Sequence, residues 1–141
     1  MESAARVERA HSGDLAWLVS VDRHVSRDWV QSCVESEAYL VARRGDDAAG
    51  FLRHSMFWRS IPFMDLVFVD VRLRGKGVGS RLFSAWEDAA RAAGAAMLMT
   101  SSMADEAEPQ AWHRRNGFQP AGTLDLSPYQ ATPEIFFVKP L

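Results

Sequence analysis

The sequence contains a single cysteine, Cys33, among its 141 residues. One thiol cannot form an internal disulfide, which favours a reducing compartment. The helical spacing of Cys33 from Trp29 and Val30 favours a small buried side chain over a catalytic nucleophile. The cysteine and the histidines also lack the spacing of zinc ligands, so we expect no metal site.

The charge balance shows no basic excess, and long apolar runs are absent from the sequence. Sixteen Lys and Arg against 18 Asp and Glu give a formal net charge of -2, which is not typical of a nucleic-acid-binding protein. No apolar run approaches membrane-spanning length, and the first nine residues contain no apolar stretch typical of a signal peptide. The sequence therefore predicts a cytoplasmic protein with no nucleic-acid partner and no membrane partner.

Neither an internal repeat, nor a low-complexity tract, nor a linker divides the chain. Hydrophobic residues make up 48% and charged residues 24% of the sequence, a balance typical of a globular protein. A chain of this length can bury a core without disulfide or metal crosslinks. We therefore expect one domain over residues 1–141.

Hydrophobic periodicity and turn residues predict the secondary structure. Strands are predicted over Ala5–Ala10, Ala38–Ala42, Ala49–Phe57, Ile61–Val71, Ala95–Thr100, Phe118–Leu126 and Glu134–Val138. Helices are predicted after Ser12, after the N-cap Ser26 with Trp29 on the apolar side, from Val78 to Gly94, and from the turn containing Pro109 to Asn116. The resulting order, β-α-α-β-β-β-α-β-α-β-β, predicts an α/β fold with a central mixed sheet flanked by helices.

The most informative segment is a glycine-rich loop between the fourth strand and the third helix. It reads Arg74-Gly75-Lys76-Gly77-Val78-Gly79-Ser80. Glycines allow backbone N–H groups to approach a ligand closely, and a helix N-terminus adds partial positive charge. With Arg72 and Arg81 nearby, the segment predicts a binding site for a phosphate-bearing ligand.

The spacing of these glycines disfavours two common nucleotide-binding motifs. A P-loop requires a lysine directly after its last glycine, whereas Ser80 follows Gly79 here. A dinucleotide-binding fingerprint requires its third glycine one place later than Gly79, and it follows the first strand of its unit rather than the fourth. A nucleotide-binding module is therefore the weaker interpretation.

Two motifs, within the predicted order of elements, resemble those of the GNAT superfamily of N-acetyltransferases. Arg74–Gly79 resembles the family's Q/R-x-x-G-x-G/A signature. The segment Trp112–Phe118 resembles a second signature, in which an aromatic residue and a tyrosine precede Gly-Phe at the end of the last helix. The resemblance covers nearly the whole chain.

The resemblance implies acetyl-CoA as co-substrate and assigns residues to its binding. Backbone groups of the fourth strand would contact the pantetheine arm and the thioester, and the glycine loop would hold the pyrophosphate. The implied contacts are Val67, Phe68 and Val69 for the strand, and Arg74, Gly75, Lys76, Gly77, Val78, Gly79 and Ser80 for the loop. The fourth and fifth strands would separate to leave a cleft for the acyl chain.

The sequence departs from the family pattern at two positions. His113 occupies the place of the tyrosine that usually protonates the departing thiolate, and Glu106 occupies the place of an asparagine that contacts the cofactor. We predict that His113 is the general acid, kept protonated by the helix C-terminus, with a helix histidine without a role as the alternative.

Asp65 is the second predicted catalytic residue. Strand parity places it on the same face as Val67 and Val69, where a carboxylate would orient the acceptor amine. The alternative is a carboxylate on the solvent face of the strand.

These residues predict transfer of an acetyl or short acyl group from acetyl-CoA to a primary amine, by direct attack on the thioester. The acceptor is expected to be a small molecule or a peptide, and the family resemblance suggests a homodimer. The alternative is a degenerate GNAT domain that binds CoA as a sensor or partner module without catalysis.

Overall fold

A mixed sheet of seven strands organises the computed structural model of the chain, which describes residues 4–141. Its strands and helices are β1 (Arg6–Arg9), α1 (Leu15–Val21), α2 (Arg27–Glu35), β2 (Tyr39–Arg44), β3 (Asp47–Phe57), β4 (Ile61–Val69), α3 (Val78–Ala92), β5 (Met97–Met103), α4 (Ala107–Arg115), β6 (Gln119–Leu124) and β7 (Glu134–Pro140). The strands lie in the order β1-β2-β3-β4-β5-β7-β6. This architecture confirms the predicted α/β fold with a mixed sheet flanked by helices.

The directions of the strands explain why the sheet is mixed. β1 pairs with β2, β2 with β3, β5 with β7 and β6 with β7, all antiparallel. β4 and β5 run parallel and pair through Phe63 with Met99 and Met64 with Thr100. A parallel pair requires a crossover, and α3 provides it.

The described residues form two compact units. The first comprises residues 4–54 and 66–89, and the second comprises residues 55–65 and 90–141. Phe51 lies in the core of the first unit, stacked on Phe68 with ring centroids 5.6 Å apart and edge-on to Tyr39 at 5.4 Å. In the second unit Leu98, Phe118 and Phe137 are buried.

The fourth strand ends two residues earlier than predicted. A short 3-10 turn over Val71–Leu73 follows it, because the Asp70 side chain accepts a hydrogen bond from the Arg72 backbone N–H at 3.0 Å. The β-branched residue Val71 suits a strand by propensity, but the Asp70 side chain stabilises a turn instead. The turn brings the chain into the glycine loop.

The second helix begins at the predicted cap but turns one aromatic residue outward. The Ser26 hydroxyl accepts a hydrogen bond from the Trp29 backbone N–H at 3.2 Å, as predicted. Val30 and Cys33 are buried, whereas Trp29 is 56% exposed, so its placement on the apolar side was wrong. Trp29 directly precedes Val30, and adjacent helix residues diverge by about 100°.

None of the helices within residues 4–141 is both long and apolar enough to cross a membrane.

Candidate active site

The glycine loop has the backbone conformation of an anion-binding site. Gly75 and Gly77 have φ angles of +77° and +82°, which L side chains rarely adopt. Within residues 4–141, no heavy atom beyond their immediate neighbours lies within 4 Å of the Cβ position of either glycine. A side chain at either position would therefore project into open space. Because glycine has no side chain, a ligand can approach the backbone closely there.

The loop leads directly into the N-terminus of α3. The Arg81 backbone N–H donates to the Gly77 carbonyl at 3.0 Å. The backbone N–H groups of Val78, Gly79 and Ser80 therefore belong to the first turn of the helix, where no intrahelical acceptor exists. The Val78 side chain is only 2% exposed, so Val78 contributes to the predicted site through its backbone.

The cations near the loop differ in their contacts and exposure. The Arg72 guanidinium is paired with Asp70, with Nη2 and Oδ2 2.8 Å apart, and this contact lowers the pKa of Asp70 to about 2. Nε of Arg81 donates to the Ala5 carbonyl at 3.0 Å. Arg74 and Lys76 are exposed residues of the loop itself.

The backbone of β4 alternates between two directions. The Asp70 N–H donates to the Ala49 carbonyl, and the Phe68 carbonyl lies against Gly50, so these residues direct backbone groups toward β3. Val67 and Val69 alternate with Phe68 and Asp70 along the strand, so their backbone N–H and C=O groups point to the opposite edge of β4. Of the three predicted strand contacts, Val67 and Val69 therefore have the better orientation, whereas the Phe68 ring packs on Phe51.

Gly50 is a structurally important residue that the sequence prediction missed. A Cβ at this position would lie 2.5 Å from the Phe68 carbonyl oxygen and 3.3 Å from Cγ1 of Val78. Only glycine therefore allows β3 to approach both the end of β4 and the start of α3. A glycine inside a strand pattern often marks such an approach, and that signal was available in the sequence.

His113 is buried in an aromatic environment near the end of α4. Its ring centroid lies 5.3 Å from that of Phe137 and 6.0 Å from that of Phe118, and the residue is 6% exposed. Burial lowers the pKa of His113 to about 4, against the opposing effect of a hydrogen bond with the Ser101 backbone. The imidazole is therefore neutral near pH 7, and the prediction that the helix end keeps it protonated was wrong.

The two predicted catalytic side chains lie on opposite faces of the second unit's sheet. His113 contacts Phe137, which pairs with Thr100, and Thr100 pairs in turn with Met64. Cross-strand partners share a face, so His113 packs against the face that holds Met64. Asp65 follows Met64 in β4 and points to the other side, where Oδ1 accepts a hydrogen bond from the Ser55 hydroxyl at 2.8 Å.

The neutral His113 makes a testable contribution to acid stability. Its pKa is lower in the folded chain than the ordinary value of 6.5, so the unfolded chain binds this proton more readily. The contribution of His113 to the free energy of unfolding is therefore fully present above pH 6.5. It falls by about 3 kcal/mol as the pH drops to about 4. In denaturant unfolding we expect the wild type to lose this stability over that pH range. We expect His113→Phe to show no such loss. Parallel stability profiles for the two proteins would contradict the assignment.

No three histidine, cysteine, aspartate or glutamate side chains of the described residues are grouped so that they could hold a metal ion.

Comparisons with known proteins identify the family of the chain. The model of the family described as "Acetyltransferase (GNAT) family" matches residues 8–118. No curated protein matches the sequence significantly.

Several solved structures share the fold over nearly the whole chain. Ard1 from Thermoplasma volcanium has a TM-score of 0.86 at 17% identity, covering 99% of both chains. The ribosomal-protein-alanine N-acetyltransferase from Brucella melitensis has a TM-score of 0.82 at 22% identity, covering 96% of this chain and 99% of its own. YncA from Salmonella typhimurium, a putative acetyltransferase solved with acetyl-CoA, has a TM-score of 0.78 at 19% identity, covering 99% and 95%. The family match spans most of the sequence, and the chain belongs to the GNAT acetyltransferase family.

Proposed function

We propose that the protein transfers an acetyl or short acyl group from acetyl-CoA to a primary amine. The observation that carries this proposal is the open glycine loop, with Gly75 and Gly77 in left-handed conformations at the start of α3. That geometry suits a pyrophosphate, and the exposed side chains of Arg74 and Lys76 add positive charge. The acetyl-CoA bound by YncA, a family neighbour in structure, supports the choice of ligand.

Different residues of the chain would bind acetyl-CoA and stabilise the transition state. The loop, Arg74–Ser80, would bind the pyrophosphate, and the outward backbone groups of Val67 and Val69 would bind the pantetheine arm. A backbone N–H of β4 would donate to the carbonyl oxygen as it gains negative charge. Acetyl-CoA supplies an activated thioester, so no covalent enzyme intermediate is needed.

Asp65 would orient the acceptor amine. Its carboxylate lies on the half-buried face of β4, held by the Ser55 hydroxyl. In the transfer, a new N–C bond replaces the C–S bond, the nitrogen loses a proton to solvent and the thiolate takes one. Because His113 is neutral and packs on the opposite face, we propose that water protonates the thiolate.

A screen of primary amines tests this function. We expect thiol release from acetyl-CoA that depends on the amine, since the activated thioester needs only a positioned neutral nitrogen. Amines of small molecules and peptides both belong in the screen, because the Brucella structure is of an enzyme named for a ribosomal protein. The measurement is thiol release with and without each amine, and the product is checked by mass spectrometry.

A degenerate domain that binds CoA without catalysis is the second candidate. The neutral, buried His113 in place of a hydroxyl-bearing tyrosine favours it. This candidate predicts saturable CoA binding by calorimetry and no thiol release above the amine-free rate. Absence of both CoA binding and thiol release would exclude both candidates.

A further inference from the structure

One face of the second unit's sheet is only half buried and has a mixed chemical character. Ser101 pairs with Phe136 across β5 and β7, and Met103 pairs with Glu134. Because cross-strand partners share a face, Ser101, Glu134 and Phe136 lie on one side of the sheet. All three are half buried, whereas Thr100 and Phe137 on the opposite side are fully buried.

Glu134 is held on this face by two neutral donors. The Ser101 hydroxyl donates to Oε2 at 2.7 Å, and Nε2 of Gln130 donates to Oε1 at 3.0 Å. The same Gln130 amide also donates to the Thr132 carbonyl at 2.7 Å, which fixes its position. Hydroxyl and amide donors orient the carboxylate without neutralising its charge. Glu134 therefore presents a fixed negative charge to whatever contacts the face.

Apolar side chains lie near the line from Asp65 to Glu134 on the same face, because Met103 pairs with Glu134 and Phe136 pairs with Ser101 across β5 and β7. Phe63 and Phe136 approach each other across the sheet with ring centroids 6.1 Å apart. Strand parity places Asp65 on the side of Phe63, and β4 and β7 lie on either side of β5. Met64 pairs with Thr100 and Met103 pairs with Glu134, so Asp65 and Glu134 lie two strand spacings apart and two residues apart along the strands, a separation of about 12 Å. The face thus presents two carboxylates with Ser101 and Met103 of β5 between them and the Phe63 and Phe136 rings alongside.

The chemistry complementary to this arrangement is a cation, a hydrocarbon chain and a second cation. We propose that Glu134 is a specificity-determining residue for the acceptor, and that the acceptor is an amine carrying a second cationic group at the far end of a hydrocarbon chain. The reacting nitrogen lies at Asp65, the hydrocarbon crosses β5 over Met103 and the edge of Phe136, and the distal cation contacts Glu134. This inference rests on the proposed acetyl transfer and names its substrate class.

Two acceptors of similar length isolate the effect of the distal positive charge on acceptor preference. The probes are 1,5-diaminopentane and 5-amino-1-pentanol, which differ in a terminal ammonium against a hydroxyl. We expect the wild type to favour the diamine by about 10-fold in kcat/KM, equivalent to one retained charge contact. In Glu134→Gln we expect this preference to disappear through a higher KM for the diamine, with kcat and the KM for acetyl-CoA changed much less.

A matched control and a binding measurement make the outcome decisive. Glu35→Gln removes an exposed carboxylate of α2 and should retain the full preference for the diamine. 1,5-Diaminopentane is titrated without acetyl-CoA, and binding is measured by the NMR signal of the Ser101 amide. We expect half-saturation of Glu134→Gln to require about 10-fold more diamine than half-saturation of the wild type. Thiol release absent with every amine would refute the proposed transfer, and the titration would still test Glu134. Equal diamine binding or equal preference in wild type and Glu134→Gln would overturn the inference.

Discussion

Replacing Gly77 with aspartate is expected to weaken CoA binding by at least 100-fold, roughly 3 kcal/mol, without unfolding the chain. The aspartate would place a negative charge beside the pyrophosphate, where a unit charge about 4 Å away costs about 4 kcal/mol near a protein surface. The left-handed φ of +82° adds backbone strain of about 1–2 kcal/mol for any L side chain. Calorimetric titration with CoA measures the affinity directly.

Two variants separate charge from strain in this experiment. Gly77→Ala introduces the strain without the charge, so we expect a smaller loss of affinity. Gly45→Asp introduces charge and strain in the turn between β2 and β3, where φ is +63° and the Cβ position is also open. We expect Gly45→Asp to lose stability comparably and to bind CoA like the wild type. Unchanged CoA affinity in a folded Gly77→Asp protein would remove the main support for the proposed function.

The strand, glycine loop and helix that form this site could be predicted because their signals are local. Gly75 and Gly77 lie within one short segment, and the apolar spacing that follows them defines α3 without reference to the rest of the chain. The Ser26 cap of α2 is equally local, and the structure confirms it. Local signals gave the order of elements correctly over the whole described chain.

The environment of each predicted catalytic residue could not be predicted in the same way. The pKa of His113 depends on which face of α4 packs against Phe137, a residue 24 positions later in the chain. The dipole of the helix end is a local effect, and the desolvation that overcomes it is not. Likewise the contact of Ser101 with Glu134 depends on the register of β5 and β7.

A buried polar network in the first unit was missed for the same reason. Asp22, directly after α1, is 1% exposed, and its Oδ2 accepts hydrogen bonds from the Tyr39 hydroxyl at 2.6 Å and from Nε of Arg53 at 2.8 Å. These partners lie 17 and 31 positions away in the sequence. The network ties the end of α1 to β2 and β3, two neighbouring strands of the sheet.

Replacing Asp22 with alanine is expected to destabilise the protein by about 3–5 kcal/mol. The substitution removes the carboxylate from Arg53, which is 9% exposed, and leaves the Tyr39 hydroxyl buried without this acceptor. Such a loss is a large part of the roughly 5–15 kcal/mol that stabilises an ordinary domain. Urea unfolding followed by tryptophan fluorescence measures it.

The comparison variants show whether the network, rather than any lost carboxylate, causes the effect. Asp28→Ala removes an exposed carboxylate from the first turn of α2 and should cost less than about 1 kcal/mol. Tyr39→Phe keeps the Asp22–Arg53 pair and removes one hydrogen bond, so its cost should be about 1–2 kcal/mol, measurable even if Asp22→Ala does not fold. Combining Asp22→Ala with Arg53→Met should recover part of the stability, because the buried guanidinium is then absent. If Asp22→Ala were no less stable than Asp28→Ala, the buried pair would contribute nothing to the fold, and α1 would be held by its apolar contacts alone.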